Sequence, residues 1–164
     1  MNQNSLSKWL KFIIIGVGIC ALLVYFLIVP VLGKDLVYSV GEDLKPFRYP
    51  PFLCWLGVIW LTAVPFYIAL VFAWRVARNI GADRSFSMEN AELLKRISVL
   101  AAVDAAFFFL ANIVLMFLNM NHPGTLLAAM LVVFAGVAVA VASAALSHLI
   151  RKAADLQDES DLTI

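Results

Sequence analysis

Four long apolar stretches restrict this chain to very few possible folds. They cover residues 9–32, 52–74, 97–118 and 125–149. Each is long enough to cross a hydrocarbon layer of roughly 30 Å as a helix, which takes roughly 20 apolar residues. Membrane β-strands would be about half as long and would alternate in polarity, and these stretches do not alternate. The sequence therefore predicts an all-α fold, a bundle of four transmembrane helices forming one membrane domain over residues 1–164.

Composition and charge argue against several classes of function. The chain is 63% hydrophobic and carries a net charge of only +1, which gives no reason to expect direct binding of nucleic acid. Its two cysteines, Cys20 and Cys54, are predicted at different membrane depths, so we expect no disulfide between them. We find no catalytic motif and no cluster with the spacing of metal ligands. The sequence thus predicts a protein that is not an enzyme and that uses no cofactor or metal.

The distribution of basic residues predicts how the chain is oriented. Nine of them lie in the amino-terminal tail, the loop after the second stretch and the carboxy-terminal tail, against three in the loop after the first stretch. Loops rich in Lys and Arg stay on the cytoplasmic side of a membrane. We therefore expect both termini and the middle loop to lie in the cytoplasm.

The middle loop contains the start signal of a helix. Ser87 is a good N-cap residue, and the acidic residues Glu89 and Glu92 follow it, where the helix dipole favours negative charge. Arg96 is spaced four residues after Glu92 for a surface ion pair. The pattern predicts a short amphipathic helix that leads into the third span. Two interpretations remain open: an interfacial anchor, or a docking surface for a cytoplasmic protein.

Asp104 is the main polar anomaly within the spans. A carboxylate at this depth costs at least about 2.5 kcal/mol if it is unpaired. Counting residues from the membrane edge suggests Tyr67 and Ser143 as hydrogen-bond partners, with Asn112 and His148 extending the polar line. Two interpretations are open for Asp104: a relay for protons or cations, or a structural clamp between helices.

The fourth span is rich in small residues. Gly136, Ala140 and Ala144 recur every four residues, a spacing that lets helices approach closely in lipid. The contact could form within one chain or between copies, so a homo-oligomer through the fourth span is one of the predicted partners.

Two segments resemble a known family. The sequence Phe-Ser-Met-Glu-Asn-Ala-Glu-Leu-Leu-Lys-Arg-Ile at residues 86–97 resembles the cytoplasmic-loop signature of the bacterial membrane family called domain of unknown function 2975. Residues 156–164 resemble its typical carboxy terminus, and the four-span layout agrees. The resemblance implies a bacterial cytoplasmic (inner) membrane protein without established activity. It also implies an association with small helix-turn-helix regulators, whose genes are often neighbours of the family's genes.

The leading hypothesis is a non-enzymatic multi-pass membrane protein that acts as a sensor or tether for a cytoplasmic partner, with a helix-turn-helix regulator as the candidate. The predicted partner-binding residues lie in the middle loop and the tail: Arg84, Ser87, Glu89, Asn90, Lys95, Arg96, Asp161, Leu162 and Ile164. The alternative hypothesis is a small transporter or toxin-immunity protein that uses Asp104 within the membrane.

Overall fold

Four long helices account for most of the structure. The computed structural model describes residues 3–31, 50–121 and 123–161, with the side chains of residues 50–52 and 158–161 outside the description. Helix α1 spans Gln3–Leu23 and continues through a π-helical turn, Val24–Ile28, to Val31. The remaining helices are α2 (Pro50–Gly81), α3 (Met88–Phe117) and α4 (Pro123–Asp161).

The predicted all-α fold with four spans is confirmed. Each helix is long and apolar enough to cross a membrane, and no strand occurs in the part of the chain that the structure describes. Many large apolar side chains are exposed in every helix, as expected when lipid rather than protein covers them. The apolar surface is therefore the side that faces the bilayer.

The start of α3 follows the predicted pattern. The Ser87 hydroxyl accepts a hydrogen bond from the backbone N–H of Asn90 at 3.3 Å, which satisfies a donor that the first helical turn leaves free. From Met88 the helix runs without interruption to Phe117. The predicted N-cap and the predicted helix leading into the third span are both confirmed.

Helix α4 is longer than its apolar stretch. Its 39 residues correspond to about 58 Å at about 1.5 Å per residue, nearly twice the roughly 30 Å of the hydrocarbon layer. The excess lies at its carboxy-terminal end, because the helix begins at Pro123, only two residues before the fourth apolar stretch. The residues after 149 therefore continue as a helix that extends out of the apolar layer, where the sequence had suggested only a charged tail.

The helices pack in a row that follows the chain order. Among the described residues, helix-to-helix backbone contacts join α1 to α2, α2 to α3, and α3 to α4. A closed ring would also bring α1 against α4. Because the row stays open, α1 and α4 each have one helix neighbour and a wide apolar face turned outward.

The small residues of α4 form its contact with α3. A Cβ atom added to Gly136 would lie 3.1 Å from the Cβ of Ala105, so the two backbones approach closely there. Ala140 and Ser143 are buried on the same side, whereas Ala144 is exposed. The close contact that the sequence predicted is thus made within the chain.

Antiparallel packing gives the molecule two ends. At the loop end, defined by residues 3–8, 75–96 and 147–161, Ser85 donates a hydrogen bond to Gln3 and Ser147 donates one to α3. At the turn end, defined by residues 112–121, Asn119 adopts a left-handed conformation with φ 53°, which Asn tolerates better than most residues. Both ends of the described chain therefore lie at the loop end, and its assignment to the cytoplasm remains a prediction.

Candidate functional site

A buried network of amides organises the loop end. Asn90 is fully buried and Asn79 is nearly so. The Asn79 side chain donates to Oδ1 of Asn90 at 3.0 Å, and Nδ2 of Asn90 donates to the carbonyls of Arg84 (2.9 Å) and Ser85 (3.1 Å). One side chain thus connects α2, the loop and α3. Because its acceptor and both donors are used, burying this amide does not leave an unsatisfied group.

Serine hydroxyls connect the outer helices to this network. Ser7 of α1 is buried and donates to the carbonyl of Ala77 at 2.7 Å. Ser147 of α4 is buried and donates to the carbonyl of Ala91 at 2.6 Å. The neighbouring Asp83 takes a left-handed conformation with φ 58°, which permits the tight turn out of α2. All four helices are therefore held together at the loop end.

The exposed surface of this loop combines apolar and charged side chains. Phe86 is 62% exposed and Met88 is 47% exposed, and Arg84 and Glu89 beside them are also exposed. Among the predicted partner-binding residues, Asn90 lies beneath this surface and Ser87 caps the helix, so both shape the loop from inside. The side chain of Asp161, together with Leu162 and Ile164, lies outside the described residues.

Two further predicted partner-binding residues lie on α3. Lys95 and Arg96 are exposed, and Nε of Arg96 lies 3.3 Å from a carboxylate oxygen of Glu92, which confirms the predicted surface pair. Arg151 of α4 approaches the other oxygen of the same carboxylate at 3.9 Å. Exposed pairs of this kind contribute little to stability, so these charges remain available to a ligand.

Asp104 contrasts with this satisfied network. Its Oδ1 atom is buried and has no hydrogen-bond partner among the described residues. Asn79 and Asn90 fix the register of α2 and α3, and Pro65 and Asp104 each lie fourteen residues deeper along these antiparallel helices. Proline has no N–H, so the helix hydrogen bond to the carbonyl of Leu61 is missing at that depth. An unpaired carboxyl oxygen and a break in the helix hydrogen bonding therefore lie at the same level.

The π-helical turn of α1 adds a tyrosine near this level. Tyr25 lies in the turn Val24–Ile28 and is within electrostatic range of both Asp104 and Tyr67. Its hydroxyl is 3.4 Å from that of Thr62, while its carbonyl accepts a hydrogen bond from the Trp60 indole at 3.2 Å. Turns of this type often occur at functional sites. Tyr25 thus interacts with polar side chains of α2 and α3. We call these four residues the mid-membrane cluster: Tyr25, Thr62, Tyr67 and Asp104.

The hydroxyl of Tyr67, a member of the cluster, donates to the carbonyl of Gly18 at 3.0 Å and so joins α2 to α1. The other polar residues predicted near Asp104 serve different parts of the fold. Ser143 lies in the contact with α3 nearer the loop end, one turn before Ser147. Asn112 is buried at the turn end, where it donates to Phe108 and accepts from Asn121 at 3.0 Å.

His148 completes the set of polar residues named from the sequence. It is exposed on α4 at the loop end. Within the described residues, no group of three His, Cys, Asp or Glu side chains is close enough to hold a metal ion. Asp104 itself offers one carboxyl group, which can form hydrogen bonds or exchange a proton.

Some residues of these sites were not named from the sequence. Tyr25 and Thr62 carry hydroxyls within apolar stretches, so the sequence could have indicated them. The π-helical turn that orients Tyr25 could not be predicted from the sequence. Asn79 could have been predicted more easily, because its amide lies near the end of α2 and flanks the same loop as the amide of Asn90. Phe86 was quoted in the family resemblance, and its exposure is what makes it a candidate contact residue.

Comparisons with known proteins agree with the membrane assignment. The profile of a protein family of unknown function, DUF2975, matches residues 37–164. An uncharacterised membrane protein of Bacillus subtilis, YoaS, is 29% identical over 167 residues, and the match covers all of both chains. No solved structure matches the chain. The loop network and the mid-membrane cluster both lie in helices that the family match includes, apart from the contribution of α1.

Proposed function

This chain belongs to the DUF2975 family of proteins of unknown function, and we propose that it is a non-enzymatic membrane tether or sensor. Its docking platform would be the exposed surface formed by Arg84, Phe86, Met88 and Glu89, together with Leu156 on α4. Membrane location and the absence of any indicated enzyme family support this reading. We place the protein in the bacterial cytoplasmic membrane, with the loop end in the cytoplasm, on the charge distribution.

The exposure of Phe86 on a fixed loop is the observation that carries this proposal. The loop is held from beneath by the two hydrogen bonds that Asn90 donates to its carbonyls. Met88 lies nine residues before the predicted start of the third apolar stretch, which is about 13 Å along a helix. Large apolar side chains exposed outside the apolar layer indicate a surface that binds another molecule, and a loop already fixed in shape loses little entropy when it binds.

The extension of α4 enlarges this surface. Leu156 is 58% exposed and lies nine residues beyond Ser147, the residue that pairs with Ala91 at the base of the loop. The candidate partner is the small helix-turn-helix regulator that the family resemblance implies. A homo-oligomer through the fourth span remains a prediction, and Ala144, the exposed one of the three small residues named from the sequence, could serve it.

Photo-crosslinking from defined positions tests the tether. A crosslinking amino acid replaces Phe86 in one variant and Val103 in another, because both residues are 62% exposed but Val103 lies within a span. In the native bacterium we expect Phe86 to give a discrete adduct with a soluble protein and Val103 to give none. Removing residues 155–164 should weaken capture of the same protein. Adducts with lipid alone at Phe86, or identical adducts at both positions, would contradict the proposal.

The mid-membrane cluster favours a second candidate function, a proton or cation relay in a small transporter or toxin-immunity protein. Its supporting observation is the buried Oδ1 of Asp104, which no described residue pairs. Asp104→Asn keeps the shape of the side chain and removes the exchangeable charge. In proteoliposomes, a relay would lose ion flux in Asp104→Asn and keep it in Asn112→Ala, while crosslinking at Phe86 stays unchanged. Flux that Asp104→Asn leaves intact would exclude this role.

A further inference from the structure

A groove between α2 and α3 has the features of a lipid site. Its volume is about 360 Å³, and apolar side chains from both helices line its deeper part: Ile68, Phe72, Val99 and Leu100. Charged side chains of α3 stand at its mouth: Glu92, Lys95 and Arg96. From this arrangement we propose that the groove binds an anionic phospholipid of the surrounding bilayer, with an acyl chain along the apolar wall and the phosphate at Lys95 and Arg96.

The depth of the groove agrees with this occupant. Lys95 and Arg96 immediately precede the third apolar stretch, which starts at residue 97, so they lie at the level of lipid headgroups. Val99 and Leu100 lie about one helical turn deeper, and Val99 is 54% exposed. A phospholipid presents its phosphate and its chains in this same vertical order. Free phosphate has no apolar part that could bind the apolar wall, and a soluble peptide would not enter the bilayer to reach it.

The balance of charges at the mouth also favours an anion. One carboxylate, that of Glu92, lies 3.3 Å from Arg96 and 3.9 Å from Arg151. Lys95 has no carboxylate partner among the described residues, so two cations and one carboxylate line the mouth of the groove. Each guanidinium has five N–H donors, and Glu92 uses only part of them. Basic pockets between helices at the headgroup level are a known mode of recognition for anionic lipids.

Lipid titration of the full-length protein tests this site. The protein in detergent is titrated with dioleoyl phosphatidylglycerol or dioleoyl phosphatidylcholine, and retained lipid is counted by native mass spectrometry. We expect retention of the anionic lipid and little of the zwitterionic one. The variant Lys95→Gln/Arg96→Gln should weaken retention of phosphatidylglycerol at least about tenfold, since both contacts with the phosphate are lost. Equal retention of the two lipids by the unmodified protein would overturn the proposal.

A charge-matched control separates a site from general surface attraction. Arg75→Gln/Arg78→Gln removes the same charge from exposed positions of α2 at the same end of the molecule, and neither residue lines the groove. We expect its affinity to stay within about twofold of the unmodified protein. If both double variants lose affinity equally, the attraction is nonspecific and the site does not exist.

A second variant tests the apolar part of the groove. Val99→Trp places a large ring where the acyl chain would lie, without changing charge. We expect at least about fivefold weaker retention of phosphatidylglycerol, with an unchanged circular dichroism spectrum. Unaltered retention would show that only the headgroup is bound and would overturn the groove assignment. Because Phe86 is untouched, this outcome is separate from the crosslinking test of the tether.

Discussion

Asn90 and Asp104 lie on the same helix, and their buried polar atoms have opposite hydrogen-bond status. Asn90 is fully buried, and its side chain accepts one hydrogen bond and donates two. Asp104 is only partly buried, yet its Oδ1 has no partner in the described chain. The first residue stabilises the fold through its contacts. We expect the second to lower stability, because an unpaired carboxyl oxygen in the apolar layer is costly, and its presence then needs a reason other than packing.

The surroundings of the two residues explain the difference. At the loop end, backbone carbonyls of the turn after α2 are free to accept hydrogen bonds, and a short amide side chain reaches two of them. Mid-span carbonyls are normally occupied within their own helices, so the carboxyl group of Asp104 finds few acceptors or donors. Two local features interrupt this regular helix hydrogen bonding: the bond that Pro65 cannot donate and the π-helical turn at Tyr25.

The largest effect should come from removing the Asn90 side chain. Asn90→Ala leaves the Asn79 amide and two carbonyls without their partner, and each buried unsatisfied group costs about 1–3 kcal/mol. We expect the free energy of unfolding in detergent to fall by about 3 kcal/mol, measured by denaturant titration with circular dichroism. Glu89→Ala removes an adjacent exposed side chain and should change it by less than about 0.5 kcal/mol. Similar losses in both variants would show that Asn90 is not the centre of the network.

Replacing Asp104 should change the free energy of unfolding in the opposite direction, toward higher stability. Asp104→Leu removes a poorly paired carboxyl group from the apolar layer, and we expect a gain of about 2 kcal/mol in the free energy of unfolding. Asn112→Leu is the matched control on the same helix, because Asn112 is buried with its hydrogen bonds made. That variant should lose about 1 kcal/mol. A loss of stability in Asp104→Leu would show that the carboxyl group is a structural clamp after all.

Much of the fold was predictable because lipid simplifies the problem. The apolar stretches predicted four helices, and Ser87 with its following acids predicted where α3 begins. The long extension of α4 was not predicted, since the charged residues after 149 carry no apolar periodicity to mark a helix. The open row of helices was also beyond prediction, because lipid and protein cover apolar side chains equally well and the sequence does not say which.

The sites were predicted less completely than the fold. The position of Asp104 in a span was readable, but its neighbours depended on helix register. Counting from the membrane edge suggested Ser143, whereas the contact of Gly136 with Ala105 places Ser143 nearer the loop end. Asn90 was named as a surface residue because it lies in a charged segment, and only tertiary packing shows that its side chain points inward. A charged segment of sequence thus contained the most buried amide among the described residues.

The smallest change in stability should come from weakening the attachment of α1 to the loop end. A Cβ atom added to Gly81 would lie 2.7 Å from Oγ and 3.1 Å from Cβ of Ser7, so Gly81→Ala should displace the Ser7 hydroxyl from the carbonyl of Ala77. We expect a loss of about 1 kcal/mol in the free energy of unfolding and faster proteolysis at Lys8.

Gly57→Ala is the control, because nothing lies within 4 Å of an added Cβ there. That variant should be neutral or gain up to about 1 kcal/mol from higher helix propensity. If Gly81→Ala behaves like Gly57→Ala, Ser7 does not hold α1 to the loop end. The hydrogen-bonded network of the loop end would then join only α2, α3 and α4, and α1 would be attached mainly through Tyr25 and Gly18.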